Sequence, residues 1–167
     1  MATVKLGGAA CATSGDLPAP GAAAPDFSLT GGDLAGISLA DYAGQRLILN
    51  IFPSVDTPVC ANSVRRFNEA AAGLENTAVL CVSRDLPFAQ GRFCAAEDID
   101  AVACASEMDG AAFGDSYGVR ITDGKLAGLF ARAIVVVDTD GTVIHSQLVP
   151  EITTEPDYDA AFAALGS

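Results

Sequence analysis

The stretch RLILNIFPSVDTPVC, residues 46–60, predicts a buried strand that leads directly into a helix. Its first seven residues are a largely apolar run of strand length, typical of a strand covered on both faces. Pro53 ends this run. Thr57 followed by Pro58 is typical of a helix start, because threonine serves as the N-cap and proline fits the first helical position. The stretch therefore places Cys60 at the third position of a helix.

Strands and helices continue to alternate along the rest of the chain. The sequence predicts further strands at 77–83, 102–105, 130–138 and 142–149, and helices at 58–73, 87–95, 108–117 and 156–165. The tetrad DTDG at 138–141 predicts a hairpin between the last two strands. A βαβ unit joined to a ββα unit gives one mixed central sheet flanked by helices. We therefore expect an α/β thioredoxin-like fold with an N-terminal extension, as a single domain over 1–167.

Composition and charge exclude several classes of protein. Half of the residues are hydrophobic, which is typical of a globular chain. The 21 acidic and nine basic residues give a net charge of −12, so the surface repels phosphate backbones and no nucleic-acid partner is expected. No stretch approaches the roughly 20 apolar residues that span a bilayer, and the opening MATVKLGGAACATSG lacks the features of a secretory signal. We expect a cytoplasmic protein with no membrane partner.

The reactive-group candidate is Cys60. Free N–H groups and the positive end of the helix dipole favour a thiolate in the first turn of a helix, and the thiolate is the nucleophilic form of cysteine. The alternative is that Thr57 only caps the helix and Cys60 only packs in the core, as many free cysteines do. These residues alone leave both interpretations open.

Arg132 is the candidate cation for this thiol. It begins a predicted buried strand, where a guanidinium is costly unless it has an anionic partner. Arg65 and Arg66 follow Cys60 on the same helix but are rotated away from it. The alternative is that Arg132 is a strand-end residue that reaches solvent.

The sequence gives weaker indications of a functional role for the remaining cysteines and for the one histidine. Cys81 lies inside a predicted core strand and is expected to be an inert core thiol, whereas Cys11 and Cys104 match no role. His145 alternates with Val143 on a hairpin strand, as an ordinary strand-face residue does. With no C-x-x-C pair, neither a structural zinc site nor a dithiol oxidoreductase is expected.

Several segments of the chain resemble one known family. Pro53, Thr57 and Cys60 match the peroxiredoxin signature of proline, three residues, threonine, two residues and cysteine. The longer segments LNIFPSVDTPVCANSVRRFN, LCVSRDLPFAQGRFCAAE, ARAIVVVD and SQLVPEITTEPDYDAA resemble the bacterial thiol peroxidases, an atypical two-cysteine branch of the peroxiredoxins. The likeness runs from about residue 4 to the C-terminus with its spacing intact.

The resemblance implies an activity and a set of residues. Cys60 would be the peroxidatic cysteine, Thr57 would donate a hydrogen bond to the peroxide, Pro53 would shield the site from water, and Arg132 would be the cation beside the thiolate. Cys94 would be the resolving cysteine of the same subunit. The resemblance further implies a homodimer that reduces hydrogen peroxide and organic hydroperoxides, is recycled by thioredoxin, and needs no cofactor or metal.

Two alternatives stay open on the sequence. In a one-cysteine peroxidase Cys94 stays reduced, and an external thiol resolves Cys60. In a redox sensor, oxidation of the thiol changes the activity of a partner protein. Turnover separates the sensor from the enzyme, because a sensor reacts about once per protein molecule.

Overall fold

A computed structural model describes residues 1–166 as a mixed sheet of seven strands, a separate two-stranded hairpin and four α-helices. The strands are β1 (Thr3–Leu6), β2 (Ala9–Ala12), β3 (Ser28–Gly31), β4 (Gly36–Ser38), β5 (Arg46–Ile51), β6 (Thr77–Ser83), β7 (Ala103–Ser106), β8 (Ala133–Val137) and β9 (Val143–Leu148). The helices are α1 (Pro58–Ala71), α2 (Pro87–Ala96), α3 (Ala112–Ser116) and α4 (Tyr158–Leu165), with a 3₁₀ turn at Leu39–Tyr42. None of these helices is long and apolar enough to cross a membrane.

Strand β5 lies inside the seven-stranded sheet, whose order is β4-β3-β7-β6-β5-β8-β9. It pairs in parallel with β6, with Leu49 opposite Leu80, and antiparallel with β8, with Leu49 opposite Val135. The predicted apolar run over 46–52 is therefore confirmed as a strand with a neighbour on each side. The predicted mixed sheet and the hairpin between β8 and β9 are also confirmed.

The two faces of the sheet bury two separate apolar clusters. Leu47, Leu49 and Ile51 of β5 point to the face covered by α3, whereas Ile48 and Phe52 point to the face covered by α1 and α4. This division follows from the two-residue period of a strand. Cys60 belongs to the second cluster, so the candidate reactive thiol lies in the core and not on a surface loop.

One buried polar contact ties helix α1 to the sheet. Asn50 on β5 donates its side-chain N–H to Ser63 Oγ at 3.2 Å, and Ser63 Oγ in turn donates to the carbonyl of Cys60 at 2.8 Å. All three residues are buried. Buried hydrogen bonds of this kind fix the position of a helix along a sheet, because breaking one leaves an unsatisfied polar group.

The N-terminal part of the chain is more ordered than the sequence predicted. It forms the hairpin β1–β2, in which Gly7 and Gly8 both have positive φ, as a tight two-residue hairpin turn requires. Glu151 accepts hydrogen bonds from both glycine N–H groups, so the hairpin is attached to the body of the protein. Strands β3 and β4 were also not predicted, because they are short, rich in glycine and largely without apolar alternation.

Two predicted boundaries were wrong. The helix expected at 108–117 begins only at Ala112, because Gly110 adopts φ +75° and the buried Glu107 accepts the N–H groups of Phe113 and Gly114. The strand expected at 130–138 begins at Ala133, so Arg132 lies just before β8.

The turn at Gly118 generates a stability prediction. Gly118 has φ +69°, and an added Cβ would lie 2.5 Å from Asp16 N and 2.6 Å from Gly15 C, both backbone atoms that cannot move independently. Gly128 also has positive φ, +94°, but nothing lies within 4 Å of its Cβ position. We expect Gly128→Ala to lower the free energy of unfolding by about 1–2 kcal/mol, and Gly118→Ala to lower it by about 3 kcal/mol or more. Urea unfolding followed by circular dichroism measures the free energy of unfolding of both variants. Equal losses of stability in the two variants would contradict the predicted clash at Gly118.

Candidate active site

The start of helix α1 carries Cys60. Thr57 is the N-cap in an extended conformation, and Pro58 is the first helical residue. The predicted helix start and the third helical position of Cys60 are therefore confirmed. The Thr57 hydroxyl does not cap the helix; it donates to the carbonyl of Ser54 at 2.9 Å. Because the first-turn N–H groups of a helix have no intrahelical acceptor, this end of α1 favours negative charge.

Arg132 contacts the sulfur of Cys60. Its Nη2 lies 3.2 Å from Cys60 Sγ, and its Nε donates to the carbonyl of Ile152 at 2.9 Å. The side chain is only 1% exposed, so the alternative of a strand-end residue that reaches solvent is wrong. A buried guanidinium without an anion is costly, and the sulfur, as thiolate, is the anion placed to offset that cost. The contact therefore favours the ionised, nucleophilic form of Cys60.

An apolar pocket of about 380 Å³ opens beside this contact. Its lining includes Pro53, Thr57 and Arg132 together with Leu6, Val59, Leu126 and Ile152. The Nη1 atom of Arg132 is buried and has no hydrogen-bond partner among the described residues. The pocket is therefore lined by one charged side chain, Arg132, and by mostly apolar residues. Leu6 comes from the β1–β2 hairpin, which the sequence analysis treated only as an extension.

Asp85 was not found by sequence reasoning, yet it holds the loop that leads to Cys60. Its carboxylate accepts hydrogen bonds from Ser54 Oγ at 2.6 Å, from the Val55 N–H at 2.9 Å and from Ser83 Oγ at 2.6 Å. Asp85 therefore connects the loop before α1 to the end of β6 and to the segment before α2. The sequence signal that could have pointed to Asp85 is the short polar run that follows the apolar strand 77–83.

Cys94 lies apart from the other predicted site residues. It is on α2 and half-buried, and its sulfur is 3.5 Å from that of Cys104 on β7. Pro53, Thr57 and Arg132 line one pocket and Arg132 contacts Cys60, whereas the sulfur of Cys94 contacts Cys104. The hydrogen bond with Cys104, together with burial, raises the pKa of the Cys94 thiol well above its usual range.

The other thiols fall in different surroundings. Cys81 is fully buried in β6, which confirms the prediction of a core thiol, and it lies opposite Cys104 in the β6–β7 pair. Cys11 is buried in the β1–β2 hairpin, where burial and the negative charges of Asp123 and Glu151 raise its pKa. Neither residue contacts the pocket beside Cys60.

Known proteins share this sequence and this architecture. The family model described as Redoxin matches residues 19–162. The chain is 58% identical over 167 residues to a thiol peroxidase of Mycobacterium tuberculosis, covering 100% of both, and 54% identical to a thiol peroxidase of Corynebacterium glutamicum, covering 99% of both. A peroxiredoxin-like protein from Aquifex aeolicus has a solved structure with a TM-score of 0.93 at 38% identity, covering 98% of this chain and 95% of that one. These similarities confirm the expected thioredoxin-like fold.

The contact between Arg132 and Cys60 predicts the reactivity of the thiol. In Arg132→Met the sulfur loses a charged donor worth about 1.5 kcal/mol or more, so alkylation of Cys60 by iodoacetamide at pH 7 should slow by about tenfold or more. Peptide mass spectrometry measures the rate at this one cysteine. Arg132→Lys, which keeps the charge, should retain part of the rate, and the surface variant Arg65→Met should retain all of it. An unchanged rate in Arg132→Met would remove Arg132 from the site.

The position of Asp85 predicts how the loop before α1 is held. In Asp85→Asn one oxygen acceptor is replaced by a donor, so amide hydrogen exchange over residues 54–57 should speed up by about tenfold, the equivalent of one hydrogen bond to a charged group. Asp56→Asn is the matched control, because Asp56 makes only an exposed ion pair with Arg92. Equal exchange in the two variants would show that Asp85 does not hold the loop.

Proposed function

The chain belongs to the redoxin family as an enzyme of the thiol peroxidase type, and on that premise we propose that Cys60 is the peroxidatic cysteine of a two-cysteine cycle. The observation that carries the proposal is the 3.2 Å contact between Cys60 Sγ and Arg132 Nη2 at the start of a helix. The guanidinium on one side and the helix start on the other both favour the thiolate, which is the nucleophilic form of cysteine. The likeness to thiol peroxidases over the full chain supports this assignment.

In the first half-reaction the Cys60 thiolate attacks the terminal oxygen of a hydroperoxide. The O–O bond breaks, Cys60 becomes a sulfenic acid, and the departing alkoxide or hydroxide takes up a proton. Negative charge grows on the oxygens as the bond breaks. The unpartnered Nη1 of Arg132 and the first-turn N–H groups are the donors available to stabilise it. The Thr57 hydroxyl joins them if it turns from the carbonyl of Ser54 toward the peroxide.

The pocket supports hydroperoxides as substrates, both hydrogen peroxide and organic ones. Leu6, Leu126 and Ile152 offer apolar surface to an organic tail while Arg132 faces the polar end. Pro53 is buried beside the thiol and lacks an N–H, so it excludes water without competing for the peroxide. A volume of about 380 Å³ suits a small molecule rather than a protein side chain.

In the second half-reaction Cys94 resolves the sulfenic acid. Its sulfur attacks Cys60, an S–S bond forms, and the hydroxyl leaves as water. A disulfide needs Cα atoms within about 4.4–6.8 Å, so Cys94 must first leave Cys104 and α2 must unwind locally. Gly91 in the middle of α2 makes that helix the weaker of the two.

Further partners follow from the family. Thioredoxin would reduce the Cys60–Cys94 disulfide, and the enzyme would be a homodimer in the cytoplasm, with residues 1–167 as one domain. The net charge of −12 argues against nucleic acid.

A one-cysteine cycle is the second candidate function. It is favoured by the contact of Cys94 with Cys104, which holds the Cys94 thiol neutral and away from Cys60. In that cycle an external thiol would attack the Cys60 sulfenic acid directly. The redox-sensor alternative would give a single oxidation without turnover.

Peroxide consumption coupled to thioredoxin, thioredoxin reductase and NADPH tests the proposal. Cys60→Ser should abolish turnover, because Cys60 is the thiol in contact with the Arg132 guanidinium, whereas Cys81→Ser should retain most of it. Cys94→Ser should react once and then stall as a sulfenic acid that is prone to overoxidation. Wild-type turnover in Cys94→Ser would establish the one-cysteine cycle, and a wild-type protein that reacts only once would establish the sensor. Equal losses in folded Cys60→Ser and Cys81→Ser would contradict the assignment of Cys60.

A further inference from the structure

Cys94 is in contact with Cys104, a thiol that the proposed cycle does not use. Their sulfurs are 3.5 Å apart, and a disulfide bond of about 2.05 Å requires them to approach by only about 1.5 Å. Cys94 lies on α2 and Cys104 on β7, two elements that pack directly on each other. The folded protein therefore already holds these two sulfurs in position to bond.

A cleft of about 360 Å³ reaches this pair. Cys94 and Cys104 both line it, together with Gly31 at the end of β3, Gly32 in the turn that follows, and Gly36 at the start of β4. The pocket beside Cys60 is lined by other residues, so the two thiol sites open to different parts of the surface.

Resting on the proposed two-cysteine cycle, we propose that Cys104 is a second resolving residue that takes over the disulfide from Cys60. The Cys104 thiolate attacks Cys94 Sγ of the Cys60–Cys94 disulfide, after its proton has passed to solvent. The Cys94–Cys104 bond forms, the Cys60–Cys94 bond breaks, and Cys60 leaves as a thiolate. One disulfide bond replaces another, so the oxidation level of the protein does not change and the step needs no further oxidant or reductant.

Two physical terms drive this exchange forward. Cys60 is the better leaving group, because Arg132 and the helix start receive its thiolate. The Cys60–Cys94 disulfide also requires α2 to unwind, whereas a Cys94–Cys104 bond keeps Cys94 where it lies in the folded protein. Refolding of α2 onto β7 therefore accompanies the transfer.

The exchange is expected to be slower than the formation of the Cys60–Cys94 disulfide. A hydrogen bond with Cys81 and burial raise the pKa of the Cys104 thiol, so its thiolate is scarce near neutral pH. Cys81 does not compete for Cys94, because it is fully buried in the interior strand β6. The two disulfides should therefore appear in sequence, Cys60–Cys94 first.

A titration without reductant tests the proposal. Transfer to Cys104 returns Cys60 as a thiolate, so the wild-type enzyme should consume two equivalents of hydrogen peroxide per chain, and Cys104→Ser should consume one. Non-reducing peptide maps taken over time should show Cys60–Cys94 giving way to Cys94–Cys104 in the wild type. Cys104→Ala repeats the test where serine disturbs the fold. Cys81→Ser is the matched control, since it removes the other neighbour of Cys104 and should still consume two equivalents.

The outcomes separate this inference from the cycle on which it rests. If the wild type stops at Cys60–Cys94 after one equivalent, the transfer is overturned and the two-cysteine cycle stands. If Cys60→Ser still forms Cys94–Cys104 at one equivalent, oxidation reaches the pair directly and the transfer is also overturned. If Cys104→Ser forms no Cys60–Cys94 disulfide, the cycle itself fails, and the transfer fails with it.

Discussion

The contact between the Arg132 guanidinium and the Cys60 sulfur is the constraint around which the site is built. A charge that is 1% exposed is tolerable only with an anionic partner, and the sulfur is placed to be that partner. The arginine is fixed in turn by the carbonyl of Ile152 and by its place just before β8. Helix α1 presents the sulfur from the other side. The sheet, the helix start and the segment around Ile152 must therefore all be in place before the thiol is activated.

The two cysteines proposed for the cycle lie on helices of unequal stability. Helix α1 is held by the buried contact from Asn50 through Ser63 and by the loop that Asp85 anchors. Helix α2 has Gly91 in its interior, where glycine lowers the stability of a helix. The proposed cycle, which joins a thiol on α1 to one on α2, would draw its motion from the less stable element. In the proposed cycle, the more rigid helix would carry the thiol that meets the peroxide, and the less stable helix would carry the thiol that forms the disulfide.

Elements with strong local signals were predicted well, and elements without them were missed. The strand β5 and the start of α1 were found because apolar runs and the Thr-Pro pair act through neighbouring residues. The hairpin β1–β2 and the pair β3–β4 were missed because they are short and glycine-containing, and lack a long apolar run. Helix α3 was predicted too long because Glu107, from outside the helix, sets its first turn.

The sequence by itself determined that Cys60 stands at the third position of a helix that follows a buried strand. Such features depend on hydrogen bonds and side-chain periods spanning a few residues, so they can be read along the chain. Only the tertiary structure decided that Arg132 reaches Cys60 across 72 positions and that Cys94 meets Cys104. Both contacts arise where separate elements pack on the sheet. Their geometry is set by the filling of the whole core, which no local pattern of residues encodes.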